Sequence, residues 1–427
     1  MTLTDSREAE ERSEMDGKVK IIIGVAAVAM IGMVGYSKLS ASLNKDPAVT
    51  SIQAEFVGEV SPGENFTKNM FNVKGVTETG KLVKLNDFSS KTTAAAQNGD
   101  SCEVEITSQG QSATAIVNIT REPVFEQNIG YPNEEDATVT CYSNGDLEFE
   151  GKGELTNFGT SLPWKDCEYT HVYIDETLQI ESMDSWFEGN ENLVYCTNIP
   201  KSVKTMKKTF ANCKALKKAP DYFQCSNLKI MDYAFSGCEA LKEIDILPVN
   251  VSSAQYAFEG CISLQKPADL SKTSNLQDIS GLHNGCSNLR EATEIPNSVI
   301  YMSETFMNCL NIKAAVRFPE KVLDISSAYA GDSALEIGAS IPEGVTDFSG
   351  CYQGCSALSG TLEINSDTEA FDSALVDATT NGDKLAISGN SGNLLAIQKD
   401  AKNSNIILAD PEAASQQNER MLREQEV

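Results

Sequence analysis

The sequence predicts a mainly β chain with short helical segments: a solenoid of stacked repeats, preceded by a β-sandwich and an N-terminal transmembrane helix. Three observations carry this expectation. A phrase of the form aromatic–x–Gly–Cys–x–x–Leu returns, with variations, in eight units at steps of 23 or 25 residues. Short alternating apolar stretches broken by turn residues fill 47–121. Sixteen residues from Ile21 to Tyr36 carry no charge.

Size and composition set the frame. The chain has 427 residues, enough for two or three domains, and 41% of them are hydrophobic against 22% charged. That balance favours a buried core over disorder. The net charge of −27 argues against nucleic acid as a partner, because such a surface repels phosphates.

The uncharged segment follows Lys20 and precedes Lys38. It is close to the short limit for a membrane span, and flanking lysines can snorkel to lengthen it. Arg7, Arg12, Lys18 and Lys20 precede it, against Lys38 and Lys45 behind it. The positive-inside rule then makes 1–18 a cytoplasmic tail and 19–37 a transmembrane helix, with the bulk outside a cell membrane crossed once. The alternatives are a signal peptide cleaved near Ala41, which makes the protein secreted, and a buried core helix.

Residues 47–121 read as short strands: VTSIQAEFVG, FNVKGV, KLVKL, CEVEITS and SATAIVNI, with SPGEN as a turn. Several such strands in one small segment fit a β-sandwich. Their order resembles bacterial immunoglobulin-like domains of surface proteins. That resemblance implies a spacer or presentation domain and no catalytic residues.

The repeat fills 186–365, behind a β-rich lead-in over 122–185. Aligned on the cysteine, its slots are Asn190, Cys213, Cys238, Cys261, Cys286, Cys309, Asp332 and Cys355. Three places on stand Leu193, Leu216, Leu241, Leu264, Leu289, Ile312, Leu335 and Leu358. Three places earlier stand Phe187, Phe210, Phe235, Phe258, His283, Phe306, Tyr329 and Tyr352. Gly or Asn precedes every cysteine slot, as a turn with left-handed backbone requires. Pro200, Pro248, Pro296, Pro319 and Pro342 each lie ten residues before an aromatic slot and end a strand. Each unit is therefore a short strand, a turn and a short helical segment, and buries its apolar side only by stacking.

AFSGCEALKEIDI and IPNSVIYMSETFMNCLNI resemble the BspA-type leucine-rich repeat of bacterial surface proteins. GDLEFEGKGELTNFGTSLPW (145–164) is similar to the lead-in of such repeats. The resemblance implies a leucine-rich-repeat solenoid used for adhesion or binding, with ligands that differ between members. His283 in an aromatic slot, with Asn190 and Asp332 in cysteine slots, departs from the pattern. Residues 366–410 are expected to cap the solenoid as helix, strand, helix, strand, and 411–427 form a polar tail.

Little in the sequence points to catalysis. The six slot cysteines are expected as a column of buried, unligated thiols, since zinc needs about four ligands converging on one point. Some disulfides within the column remain an alternative, as does a Cys351–Cys355 bridge. Pairs among Cys102, Cys141, Cys167 and Cys196 are open, with no connectivity legible. His171 and His283 are expected to be structural. GxSxG, HExxH and phosphate-loop motifs are missing, so neither an enzyme nor a cofactor or metal is expected.

Charge says more. KSVKTMKKTFANCKALKK (201–218) holds no acid. The residue after each leucine slot includes Lys217, Lys242, Arg290 and Lys313, a partly cationic stripe if these side chains face outward. The candidate ligand-binding residues are Lys207, Lys208, Lys217, Lys218, Lys242, Arg290 and Lys313. The partner would be an extracellular protein, an acidic glycan or a wall polymer. The plain alternative is a solvated face balanced by neighbours such as Glu243 and Glu291. The function expected is non-catalytic adhesion or recognition at the cell surface. The runners-up are an inert spacer or envelope component, and a secreted or phage-encoded receptor binder.

Overall fold

A computed structural model describes residues 46–410, except 59, 62, 97–100, 157, 160, 245 and 382. The expected segments 1–18, 19–37 and 411–427 lie outside the described residues. The single-pass membrane assignment is corrected. A span takes about 20 consecutive helical residues, and among the described residues no helix is long and apolar enough to cross a membrane.

Period-two alternation builds the first module. Strands β1 (Ser51–Phe56), β2 (Phe71–Val76) and β3 (Leu82–Lys84) form one antiparallel sheet. Strands β4 (Ser89–Ser90), β5 (Ser101–Ser108) and β6 (Gln111–Asn118) form a second. Val73, Leu85, Val104, Ile106 and Val117 sit in the one core that the two sheets share.

The lead-in passes directly into the solenoid. It contains β7 (Pro123–Asn128), β8 (Gly130–Tyr131), β9 (Ala137–Tyr142), β10 (Asp146–Gly151), β11 (Gly153–Leu155), β12 (His171–Ile174), β13 (Leu178–Gln179) and β14 (Tyr195–Cys196). The order β14-β12-β10-β9-β7 makes a five-stranded sheet, whose β10, β12 and β14 are parallel with Leu147, Val172 and Cys196 in register. Those residues are buried, so an inward column is laid down before Cys213, the first cysteine in a slot.

A second parallel column runs through Ser182, Thr205, Ile230, Ser253, Asp278, Tyr301, Asp324 and Asp347, each bridged to the next. The segments expected to be helical then prove to be runs of turns. The Gly/Asn column is left-handed as expected, with φ of 62° at Asn212 and 72° at Gly237. Four residues earlier stands a second left-handed column: Ser185, Lys208, Tyr233, Tyr256, Gly281, Glu304, Ser327 and Gly350. Left- and right-handed residues together turn alternate amides along the solenoid axis, where the following coil accepts them. Met206, Lys208, Phe210 and Asn212 donate to the carbonyls of Ile230, Asp232, Ala234 and Ser236 at 2.9, 2.9, 2.8 and 2.6 Å. A helix would direct those bonds back into its own turn.

The core is a set of stacked columns. Phe210, Phe235, Phe258, His283, Phe306, Tyr329 and Tyr352 lie ring on ring, with centroids 5.2–5.9 Å apart and planes within 18°. Such contacts add about 0.5–1.5 kcal/mol each beyond burial. All twelve cysteines are free thiols. Cys213, Cys238, Cys261, Cys286, Cys309 and Cys355 each donate to the carbonyl of the preceding coil's aromatic residue, at 3.0–3.3 Å.

The stack runs one coil further than the repeat phrase. Ser373 and Asp377 are left-handed, Leu375 and Ala378 fill the aromatic and cysteine slots, and Ala374 and Val376 accept the amides of Tyr352 and Gly354. This ninth coil replaces the first helix expected in the cap. Before it comes β15 (Gly360–Glu363) and after it come β16 (Leu385–Ser388) and β17 (Ile406–Leu408), and the three form a parallel sheet. The seven-residue α1 (Leu394–Asp400) covers the end. Asp400 Oδ2 takes the forward amide of Ser373 at 2.7 Å, and the carbonyl of Lys402 takes that of Asp377 at 3.0 Å. At the other end, the Trp164 indole donates to the carbonyl of Trp186 at 3.2 Å.

Candidate binding face

The leucine column fixes one outward row. Each leucine points into the core, so the residue behind it faces solvent: Lys217, Lys242, Gln265, Arg290, Lys313 and Glu336 are all exposed. Backbone bonds hold the row in register. Lys242 donates to Lys217 at 3.1 Å, Arg290 to Gln265 at 3.3 Å and Glu336 to Lys313 at 2.8 Å. Lys218 lies in the neighbouring row, bridged to Glu243. Lys266 belongs to that row too, and attention to the first residue after each leucine missed it.

Lys207 and Lys208 do not join this face. They lie on the turn side, where the Lys207 amide donates to Asp184 Oδ1 at 2.8 Å. Lys208 Nζ is 3.7 Å from Glu188 and 6.0 Å from the Tyr233 ring centre. The lysine-rich run 201–218 thus supplies two separate faces.

Ion pairs sort the cations further. Lys204 pairs with Glu181, Lys214 with Glu191 at 2.8 Å, and Lys313 with Glu336 at 3.3 Å, each tying one coil to its neighbour. Exposed pairs of this kind contribute about 0–1 kcal/mol. Lys217, Lys218, Lys242, Lys266 and Arg290 have no ion pair among the described residues.

Other titratable groups serve the fold. Arg121 Nη1 lies 2.9 Å from Asp146 and 2.6 Å from Glu148, and its guanidinium sits 3.9 Å over the Tyr142 ring. Burial pushes Glu148 up and Arg121 opposes it, and this one cation clamps both carboxylates. Burial lowers His171, whose Nδ1 meets Thr170 Oγ1 at 2.9 Å. Among the described residues no group of three His, Cys, Asp or Glu side chains could hold a metal.

Sequence comparison places the coils. Residues 162–265 and 222–336 match the family described as BspA type leucine-rich repeat region, in six copies. Over 162–336 the coils are similar to BspA-type leucine-rich repeats. No curated protein matches the chain. Among solved structures, a leucine-rich repeat protein from Bacteroides ovatus is 20% identical, covering 62% of this chain and 78% of its own, with a TM-score of 0.38. A T. pallidum leucine-rich repeat protein is 20% identical, covering 54% and 90%, with a TM-score of 0.32. A leucine-rich cell surface protein from Faecalibacterium prausnitzii is 15% identical, covering 65% and 98%, with a TM-score of 0.34.

Proposed function

We propose that this BspA-type repeat protein is a non-catalytic recognition module that holds an anionic extracellular partner on the rows behind its leucines. The observation that carries this reading is the set of five exposed cations on two adjacent rows, without ion pairs among the described residues, in a chain of net charge −27. A solvated face with no ligand gains by pairing its cations with the abundant acids, as Lys204 and Lys214 do. Unpaired cations in a fixed register suit a partner that brings its own negative charges. The module at 51–118 would act as an immunoglobulin-like spacer, which its two sheets over one core support.

The test is a binding screen of acidic glycans and extracellular matrix proteins at low and high salt. The proposal expects salt-sensitive binding that is lost when Lys217, Lys218, Lys242 and Arg290 are replaced by Glu. Binding that survives this reversal, or no binding at all, would favour the inert spacer.

A further inference from the structure

Among the described residues the solenoid repeats one groove at three seams between coils. The first groove, about 460 Å³, is lined by Tyr195, Asn198, Lys218, Asp221 and Phe223. The second, also about 460 Å³, is lined by Lys266, Asp269, Glu291 and Glu294. The third, about 400 Å³, has Arg317, Phe318 and Glu320 on its wall. A groove at this place is therefore a by-product of stacking, and only its chemistry can carry function.

That chemistry differs. The second groove sets one lysine against three acids. In the third, Arg317 is paired with Glu320 at 2.8 Å and Phe318 is buried. The first keeps two large rings in solvent, Tyr195 at 45% and Phe223 at 46% exposure, beside the unpaired Lys218. Leaving such rings exposed forgoes the gain of burying them, and the other two grooves show that the coil does not need them there. Asn198 has no side-chain hydrogen bond among the described residues. Asp221 Oδ1 takes the Phe223 amide at 3.0 Å, which orients that loop and leaves the other carboxylate oxygen as an acceptor.

We propose that the first groove seats a carboxylate-bearing sugar of an acidic polysaccharide, a proposal that rests on the reading of the cationic rows given above. The rings of Tyr195 and Phe223 offer apolar surface to the C–H face of the sugar. The Lys218 ammonium meets its carboxylate, and Asn198 and Asp221 meet hydroxyls. Lys217 and Lys242, in the adjacent row, lie where the polymer would continue along the solenoid.

The experiment is calorimetric titration of the full chain with a short oligogalacturonate, with its methyl ester and with polyglutamate. Oligogalacturonate should bind, and Tyr195→Ala, Phe223→Ala or Lys218→Gln should each weaken it about tenfold or more, about 1.4 kcal/mol. The methyl ester should be weaker by a similar factor. Both rings are at the surface, so unchanged urea midpoints will certify the variant folds. If the ring variants bind like wild type while Lys217→Glu with Lys242→Glu abolishes binding, the groove proposal is overturned and the cationic rows stand. Binding of polyglutamate without oligogalacturonate overturns the sugar and keeps an anionic partner. Equal binding of the ester overturns the role of Lys218, and silence from all three probes overturns both readings.

Discussion

The imidazole of His283 lies flat against the ring of Phe306, with 5.6 Å between centroids and 6° between planes. Its Nε2 accepts the amide of Ala268 at 3.2 Å. Tyr329 and Tyr352, in the same column, accept the amides of Val316 and Ala339 through their hydroxyls at 3.1 and 2.9 Å. A polar ring in this slot therefore serves as a backbone acceptor, and His283 is a structural substitute for tyrosine.

That role sets a dependence on pH. Burial lowers His283 from 6.5 to about 3. The folded state holds the ring neutral while the unfolded chain protonates it, so stability is full above 6.5 and falls as pH drops toward 3. The slope is at most about 1.4 kcal/mol per pH unit. His283→Tyr keeps the stack and the acceptor without titrating. Its urea midpoint should fall less between pH 7 and pH 5 than that of wild type; an equal fall would remove the explanation.

Asp332 pulls the other way. It stands in a cysteine slot, with Oδ1 accepting the Cys309 amide at 2.7 Å and Oδ2 buried without a partner among the described residues. Burial raises its pKa well above 3.8. A raised carboxyl contributes fully below its unfolded value and loses that contribution as pH rises through the folded one. Asp332→Cys, which restores the common residue, should stabilise the protein by about 1–3 kcal/mol at pH 7. Asp332→Asn should do part of this, and chemical denaturation at two pH values checks both.

Gly260 isolates the cost of left-handed backbone. Its φ is 67°, and a Cβ there would meet nothing nearer than the Gly237 backbone at 3.7 Å, an ordinary contact. Gly260→Ala should therefore cost about 1–2 kcal/mol from conformation alone. Gly260→Asn should cost less, as Asn212 and Asn308 occupy the same column. Equal losses in the two variants would place the cost in packing.

The thiol column should be chemically silent. Burial pushes Cys238 and Cys286 up to about 12, and each donates to a carbonyl, so neither offers a thiolate at neutral pH. Alkylation of the native protein should be confined to the half-buried Cys102 and Cys167, and should reach all twelve in denaturant. Mass spectrometry finding fast native labelling of Cys238 or Cys261 would refute a closed core.

The repeat was legible because three columns demand particular residue types: aromatic, Gly or Asn, and leucine. The second left-handed column was not, since Lys208, Tyr233 and Glu304 are not types that announce that conformation, and without it a run of turns looks like a helix. The ninth coil escaped because Leu375, Asp377 and Ala378 fill its slots without the usual residues. At the candidate face, Lys217, Lys242, Arg290 and Lys313 followed from their offset to leucine. Lys207 and Lys208 looked like their neighbours only because sequence proximity hides the corner between the turn side and the strand side.

On the turn side, the four amide bonds of each repeating coil all run from that coil to the one behind it. Peptide dipoles aligned in this way add, as they do along a helix. One flank of the solenoid is therefore an electrically polar rod, positive at its last coil and negative at its first. The Asp400 carboxylate stands at the positive pole and the Trp164 indole N–H at the negative one. The two poles are also complementary to each other. The two ends therefore need caps of opposite chemistry, an acceptor such as the Asp400 carboxylate on α1 at the last coil and a donor such as the Trp164 indole at the first.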